Sequence, residues 1–250
     1  MITTVLFDMG GTLEDIWVDD QSEREAIAAL ARMLSSFGLE TGLCQEALKE
    51  SVDAGWKRYG RYRDATDVEL KPVEIWCDYV LSDFGFARER LAPHCEEIAH
   101  MWEVTHYHRK LRPKVADMLR GLQGLGLKLG IISNTAALYQ VFDSLEEYGI
   151  RSFFSDVTLS SVTGFRKPCG DIFTVALREI QSEPAQSVYV GDTVSRDVIG
   201  SKRAGFAAAI QIGSQLTREK DESIRREFEP DYYIEDIYEV YPLVREMLGK

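Results

Sequence analysis

Nothing in this chain approaches the roughly 18 consecutive apolar residues that a membrane-crossing helix needs. Its first residues carry neither the basic stretch nor the long apolar stretch of a secretory signal, so a cytoplasmic protein that engages no membrane is expected. Cysteine is scarce: Cys44, Cys77, Cys95 and Cys169 are scattered without a C-x-x-C pair, which argues against a zinc site and a disulfide framework. Positive charge is the minority sign, with 29 Lys and Arg against 41 Asp and Glu. The net charge of -12, with no basic run to override it, opposes nucleic acid as a partner. Of the four histidines, His106 and His108 stand two apart, a spacing that points them to different sides of a helix, so they read as surface or hinge residues. Repeats and low-complexity tracts are absent. Gly124-Leu125-Gly126 lacks the preceding strand and full spacing of a dinucleotide loop and reads as a helix C-cap.

What the chain does have is material for a substantial core, with 250 residues, 45% of them hydrophobic and 10% aromatic. Short apolar or β-branched runs at 3–7, 127–132, 156–160, 187–190, 207–212 and 232–234 are mostly separated by helical periodicity, as at 114–125, 172–180 and 194–204. That alternation predicts an α/β fold, a parallel sheet flanked by helices. Residues 19–108 carry helical periodicity at 22–37, 45–59, 72–84 and 92–108 without a convincing buried strand, so a helical insertion is expected after the first strand. Gly38, Gly42, Gly60, Gly85 and Pro93 punctuate it, and Arg112-Pro113 marks the return to the sheet. Its aromatics, Trp56, Tyr59, Tyr62, Trp76, Tyr79, Trp102 and Tyr107, are expected mostly in a core of its own. Arg58, Arg61 and Arg63 around Gly60 read either as a solvated helix end or as a grip on an anionic substrate.

Two acids end two of the strand patterns. Thr3-Thr4-Val5-Leu6-Phe7 runs into Asp8, and Ser187-Val188-Tyr189-Val190-Gly191 runs into Asp192. Ligands collect at the carboxyl ends of parallel strands, so these carboxylates can meet there and share one divalent metal. Gly10, Gly11 and Thr12 allow a tight turn beside a ligand. Ile131-Ile132-Ser133-Asn134-Thr135 ends another strand in small polar groups suited to phosphate oxygens. Arg166-Lys167-Pro168 sets a cation ahead of a helix, and Asp197 follows Asp192 five positions on. A carboxylate nucleophile next to a phosphate trianion needs Mg²⁺ and a lysine to offset repulsion. Taken singly, Asp8 reads as a turn former, Asp192 as a helix N-cap, and Asp197 as a first-turn acid favoured by the helix dipole. Thr12 and Thr135 read as bracing backbone, and Asn134 either as a phosphate contact through its N–H or as a turn stabiliser.

The ordered set of four motifs resembles the haloacid dehalogenase-like hydrolase superfamily, over nearly the whole chain. The resemblance implies a Rossmann-like doubly wound core at 1–14 and 112–250, with a helical cap inserted at 15–111. It also implies Asp8 as the nucleophile that becomes an aspartyl-phosphate, Lys167 as the neutralising cation, and Gly11, Thr12, Ser133 and Asn134 around the phosphate. Asp8, the Gly10 carbonyl, Asp192 and Asp197 then hold Mg²⁺, and the partner is a small phosphorylated substrate. Asp236 and the 230–234 strand match the way such cores finish, while oligomeric state is not legible.

One position departs from the pattern. The phosphatase branch carries a second aspartate two residues after the nucleophile as general acid/base, and here that position is Gly10. Positioned proton transfer contributes about 10²- to 10⁴-fold, so slow turnover of alkyl phosphates is expected unless Glu14, Asp15 or a cap residue substitutes. The leading expectation is a Mg²⁺-dependent phosphatase; the alternative is a phosphometabolite-binding or regulatory protein without catalysis. A phosphonatase-like Schiff base on Lys49 or Lys57 is a third reading, weakened by the charged neighbours Glu46, Glu50 and Arg58. Dehalogenation is disfavoured because such relatives usually lose the acid that stands here at Asp192. Cap hinges are expected near 15–19 and 109–113, and specificity is expected to reside in the insertion, with its loop at 60–72 the first part to inspect.

Overall fold

A computed structural model describes residues 1–214, 221 and 229–250. Its strands among the described residues are β1 (Thr4–Phe7), β2 (Glu14–Trp17), β3 (His108–Leu111), β4 (Lys128–Ser133), β5 (Asp156–Leu159), β6 (Ser187–Gly191), β7 (Ala208–Ile212) and β8 (Tyr232–Ile234). The longer helices are α1 (Asp20–Ser36), α2 (Gln45–Thr66), α3 (Cys95–His106), α4 (Val115–Gly124), α5 (Gln140–Glu147), α6 (Gly170–Glu179) and α7 (Val240–Met247). Six strands form one parallel sheet in the order β5-β4-β1-β6-β7-β8, the expected α/β architecture.

β1 lies at the centre, with Phe7 flanked by Ile131 of β4 and Val190 of β6. A strand covered on both faces reads as an unbroken apolar run, and Val5, Leu6 and Phe7 are fully buried. The strand period of two sends Val5 and Phe7 to the face covered by Met118, Leu122 and Val244 of α4 and α7. Leu6 goes to the opposite face, against Ile172 and Phe173 of α6. Removing such side chains from water is worth about 1.5–3 kcal/mol each, which anchors β1 and with it the position of Asp8.

The helical segment has a core of its own. Asp19 caps α1, accepting from the backbone N–H of Gln21 and Ser22 at 2.9 and 2.8 Å. The stripe Ala26, Ile27, Leu30 and Leu34 shares one cluster with Ile98, Ala99 and Trp102 of α3. Trp56, Trp76 and Trp102 meet with centroids 5.6–5.9 Å apart. All four cysteines are free, although the Cys77 and Cys95 thiols lie 3.6 Å apart.

Local structure departs from the sequence expectation in three places. Gly60 does not end its helix: α2 continues to Thr66 and stops at Asp67 in the left-handed conformation. A helical glycine costs only about 1 kcal/mol relative to alanine, and the packing of Tyr59 and Tyr62 on Tyr79 outweighs it. The helix expected at 72–84 is one α turn followed by the π-helical turn Ile75–Val80, where the Leu81 N–H reaches back five residues to Trp76 O at 2.9 Å. That wide turn buries Ile75, Trp76 and Val80 together. The expected hinge segments pair as the antiparallel ribbon of β2 and β3, with Glu14 opposite Leu111 and Trp17 opposite His108. Four residues per strand are too few to stand out against the flanking helical pattern.

Candidate active site

β1, β4 and β6 end along one edge of the sheet, and the residues after them converge. The Asp8 N–H donates to Val190 O at 2.9 Å, carrying the ladder one residue past β1 and directing Asp8 toward β6. Asp8, Asp192 and Asp197 are buried, and each presents an oxygen within 4.8 Å of the others. Two glycines permit this approach. Gly11 adopts φ +87°, and a Cβ there would stand 2.1 Å from Asp192 Oδ2; a Cβ on Gly191 would stand 2.4 Å from that of Asp197.

Lys167 joins the acids. Its ammonium donates to Asp8 Oδ1 at 2.6 Å, Asp197 Oδ1 at 2.7 Å and the Tyr189 hydroxyl at 3.0 Å. The Asn134 side chain clamps this residue's backbone, accepting from Lys167 N at 2.9 Å and donating to Lys167 O at 3.1 Å. Asn134 therefore serves Lys167 with its amide, which leaves only its backbone for a ligand. Asp197 also accepts from Thr193 N at 3.0 Å and from the Thr193 hydroxyl. The wide turn Val194–Val198 brings it back to the sheet edge, with Val198 N bonded to Thr193 O at 3.1 Å.

Charge in this pocket is unevenly compensated. Burial pushes the Asp8 carboxyl up, Lys167 pulls it partly back, and Asp197 pushes it up again. Burial, followed by the charges of Asp8 and Asp197, pushes Asp192 up to about 8. Burial alone would raise Asp197 too, but Lys167 and Arg196 outweigh it and hold that carboxyl below its ordinary value. Among the described residues the three carboxylates, with Lys167 and Arg196 beside them, gather oxygen donors in one buried pocket, the chemistry that suits a hard divalent cation. Among the described residues Asp8 Oδ2 accepts no hydrogen bond. Thr12 is fully buried with its hydroxyl unpartnered, and Ser133 ends β4 at the same edge, also buried.

Several expected contributors lie elsewhere or are committed. Glu14 is fully buried, with Oε1 taken by Arg109 at 2.5 Å and Oε2 by Tyr148 at 2.8 Å, so neither oxygen is free to pass on a proton. Asp15 stands 3.0 Å from Arg112 Nε. The Lys49 ammonium pairs with Asp53 at 2.7 Å and Glu23 at 3.3 Å. The hydrogen bond it donates to Asp53 is the main cause that raises its pKa, the opposite of what a Schiff-base amine needs; Lys57 is exposed. The arginines around Gly60 do not act as a group: Arg58 is tied to Tyr79 O and Asp83, Arg61 is exposed, and Arg63 lies over the Tyr59 ring. His106 stacks on Trp102, and His108 stacks on Trp17 and bonds Asp19 at 3.1 Å.

Sequence reasoning missed a bridge beside Lys167. Glu69, from the loop after α2, accepts hydrogen bonds from Arg166, Tyr59 and Ser160, linking the helical segment to the sheet domain. Backbone bonds continue the seam, Glu69 N to Gly164 O at 2.8 Å and Arg166 N to Asp67 O at 3.0 Å. One acid among 41 offered no pattern to find it by.

Proteins from other organisms resemble this chain over nearly its whole length. A protein of Methanopyrus kandleri called glyceraldehyde 3-phosphate phosphatase is 30% identical over 251 residues, covering 99% of both chains. One of the same name from Methanocaldococcus jannaschii is 29% identical over 254 residues, again covering 99% of each. The crystal structure of a 2-haloacid dehalogenase from Pseudomonas syringae pv. tomato superposes with a TM-score of 0.69 at 21% identity, covering 99% of this chain and all of that one. The family model described as haloacid dehalogenase-like hydrolase matches residues 2–205, spanning the carboxylate cluster and its lysine, and the chain belongs to that family of hydrolases.

Proposed function

We propose that the protein is a Mg²⁺-dependent phosphatase of a small phosphorylated metabolite, acting through a phosphoaspartate at Asp8. The observation that carries this reading is the Asp8 carboxylate itself: one oxygen is held by Lys167, the other accepts no hydrogen bond among the described residues, and Asp192 and Asp197 complete an oxygen cluster beside it. Asp8, Asp192 and Asp197, with the Gly10 carbonyl, would hold Mg²⁺, which when bound neutralises phosphate charge and polarises the phosphoryl group. Asp8 Oδ2 attacks phosphorus while Lys167 withdraws charge from the same carboxylate and from the incoming phosphate. Ser133, Thr12 and the backbone of Gly11 and Asn134 bind the phosphoryl oxygens. Segment 15–111 acts as the cap, and the Glu69–Arg166 bridge docks it against the loop that carries Lys167.

The substrate class rests on the full-length similarity to proteins named for glyceraldehyde 3-phosphate. The dehalogenase likeness, at 21% identity, speaks for the fold alone. The test is turnover with Mg²⁺ of p-nitrophenyl phosphate, acetyl phosphate, glyceraldehyde 3-phosphate and other sugar phosphates by the protein and by Asp8→Asn. Turnover that disappears in the variant supports the reading. Tight phosphate binding without turnover favours a binding or regulatory protein, the reading that Gly10 itself motivates.

A further inference from the structure

The space beside Gly10, where the related phosphatases keep their acid/base, borders a buried charged cluster. A Cβ built on Gly10 would lie 3.7 Å from Arg109 Nη1, 3.7 Å from Ile16 Cδ1 and 3.8 Å from Glu14 Oε1. The carboxyl carbon of an aspartate lies one C–C bond, ~1.5 Å, beyond its Cβ and its oxygens lie farther out, so the Arg109 guanidinium abuts the volume an aspartate would fill. Arg109 comes from β3, in the return strand of the helical segment, and two acids hold it. Nη1 donates to Glu14 at 2.5 Å and Nη2 to Glu103 at 2.7 Å, while its carbon sits 5.5 Å from the Tyr107 ring centroid.

This guanidinium is not fully used by the protein. Arginine has five N–H donors, and among the described residues Arg109 makes only those two hydrogen bonds. Its Nε is buried without a hydrogen-bond partner among the described residues, and the side chain is only 13% exposed. Buried donors are nearly always satisfied, so a fixed guanidinium with spare N–H groups, bordering the space at Gly10 two residues after Asp8, points to an oxygen that arrives with a ligand.

Resting on the phosphatase reading above, we propose that Arg109 stabilises the leaving-group oxygen of a phosphate monoester, taking over by charge the task that an acid at position 10 would perform by proton transfer. Asp8 Oδ2 forms its bond to phosphorus as the bond from phosphorus to the leaving oxygen breaks, and the electron pair stays on that oxygen. The resulting alkoxide is met by Arg109 N–H groups and takes its proton from solvent on release. In the second step a water oxygen bonds phosphorus, the pair of the Asp8–phosphorus bond returns to the carboxylate, and the water proton leaves to solvent. Glu14 and Glu103 are positioning residues that hold the guanidinium planar against the gap; Tyr148 holds Glu14 in turn.

The test compares leaving groups with Mg²⁺ present, using glycerol phosphate and glyceraldehyde 3-phosphate for poor ones and p-nitrophenyl phosphate and acetyl phosphate for good ones. Removing one donor to a developing oxyanion costs about 10²- to 10³-fold. Arg109→Gln is therefore expected to lower kcat/KM for the alkyl phosphates by roughly that factor, and for the activated substrates less than about tenfold, with Arg109→Lys between. Arg109→Gln strands two buried acids, so the triple variant Arg109→Met, Glu14→Gln, Glu103→Gln, which strands no charge, carries the comparison if the single variant unfolds. An equal loss on all four substrates in a folded variant would overturn the proposal, as would wild-type protein that turns over activated substrates and no alkyl phosphate. Absence of any Asp8-dependent turnover would instead overturn the phosphatase reading on which it rests.

Discussion

Lys167 and Asp197 form an ion pair at 2.7 Å, and the same ammonium stands 2.6 Å from Asp8. One cation thus answers both Asp8 and Asp197, while burial and the charges of those two acids push Asp192 up to about 8. The arrangement explains how Asp8 stays aligned without being neutralised: Asp197, clamped by Thr193, holds the ammonium in place.

Replacing that cation is expected to cost stability as well as activity. Lys167→Met strands Asp8 and Asp197 in a buried site, and breaking a buried pair by removing one partner costs about 3–5 kcal/mol. Denaturant unfolding should show this loss, and Mg²⁺ should restore part of it. An unchanged midpoint would mean that the ammonium does not compensate these acids.

Stability should depend on pH in a defined direction. Asp192 has a folded pKa of about 8 against an ordinary 3.8, so between those values the folded state holds a proton that the unfolded state has released. Its contribution is fully present below about 3.8 and is lost as pH rises through about 8. Asp8, also raised, adds in the same sense, whereas Asp197, lowered, acts only below its ordinary value and outside this window. Protein treated with a chelator should accordingly lose thermal stability from pH 5 to pH 8. Because Mg²⁺ binds the ionised carboxylates, its stabilising effect should grow over the same interval. A flat profile, or a larger Mg²⁺ effect at the acidic end, would contradict the assignment.

Position 10 has room for a side chain. All three atoms nearest a Cβ there lie at ordinary contact distance, so Gly10→Asp should fold. Arg109 would keep the new carboxylate ionised, which suits a base better than an acid. Hydrolysis of the phosphoenzyme is expected to quicken by roughly 10²-fold, the lower end for positioned proton transfer, with a smaller gain in its formation from alkyl phosphates. Single-turnover kinetics separate the two steps, and equal rates in variant and wild type would show that proton transfer does not limit turnover.

The Glu69 bridge is expected to govern docking of the helical segment. Glu69→Gln leaves the buried Arg166 guanidinium without its counter-charge and should destabilise by about 3–5 kcal/mol. Hydrogen exchange at the Glu69 and Arg166 amides, which bond across the seam, should speed up before that of β1. Protection lost equally in both places would indicate global unfolding in place of local undocking.

The order of elements was legible from the chain alone. The central strands of the main sheet are short apolar runs, and burial on both faces leaves no other pattern for Val5-Leu6-Phe7 or Val188-Tyr189-Val190. Asp8 and Asp192 could be placed at one sheet edge because parallel strands all end there. Local propensity said too little about helix ends: the tertiary packing of Tyr59 and Tyr62 carried α2 past Gly60, and the ribbon of β2 and β3 is too short to show a period.

Partnerships between distant polar side chains were decided by the tertiary structure. A surface-type residue such as Glu69, Arg109 or Asn134 has no periodicity to mark it, and its role depends on which group folding brings within 3 Å. Motif spacing determined that acids and a lysine share one edge of the sheet. Only the packing of the helical segment against that edge determined that Arg109 borders the gap at Gly10 and that Glu69 seals the seam, since both contacts join chain segments whose relative position no local pattern encodes.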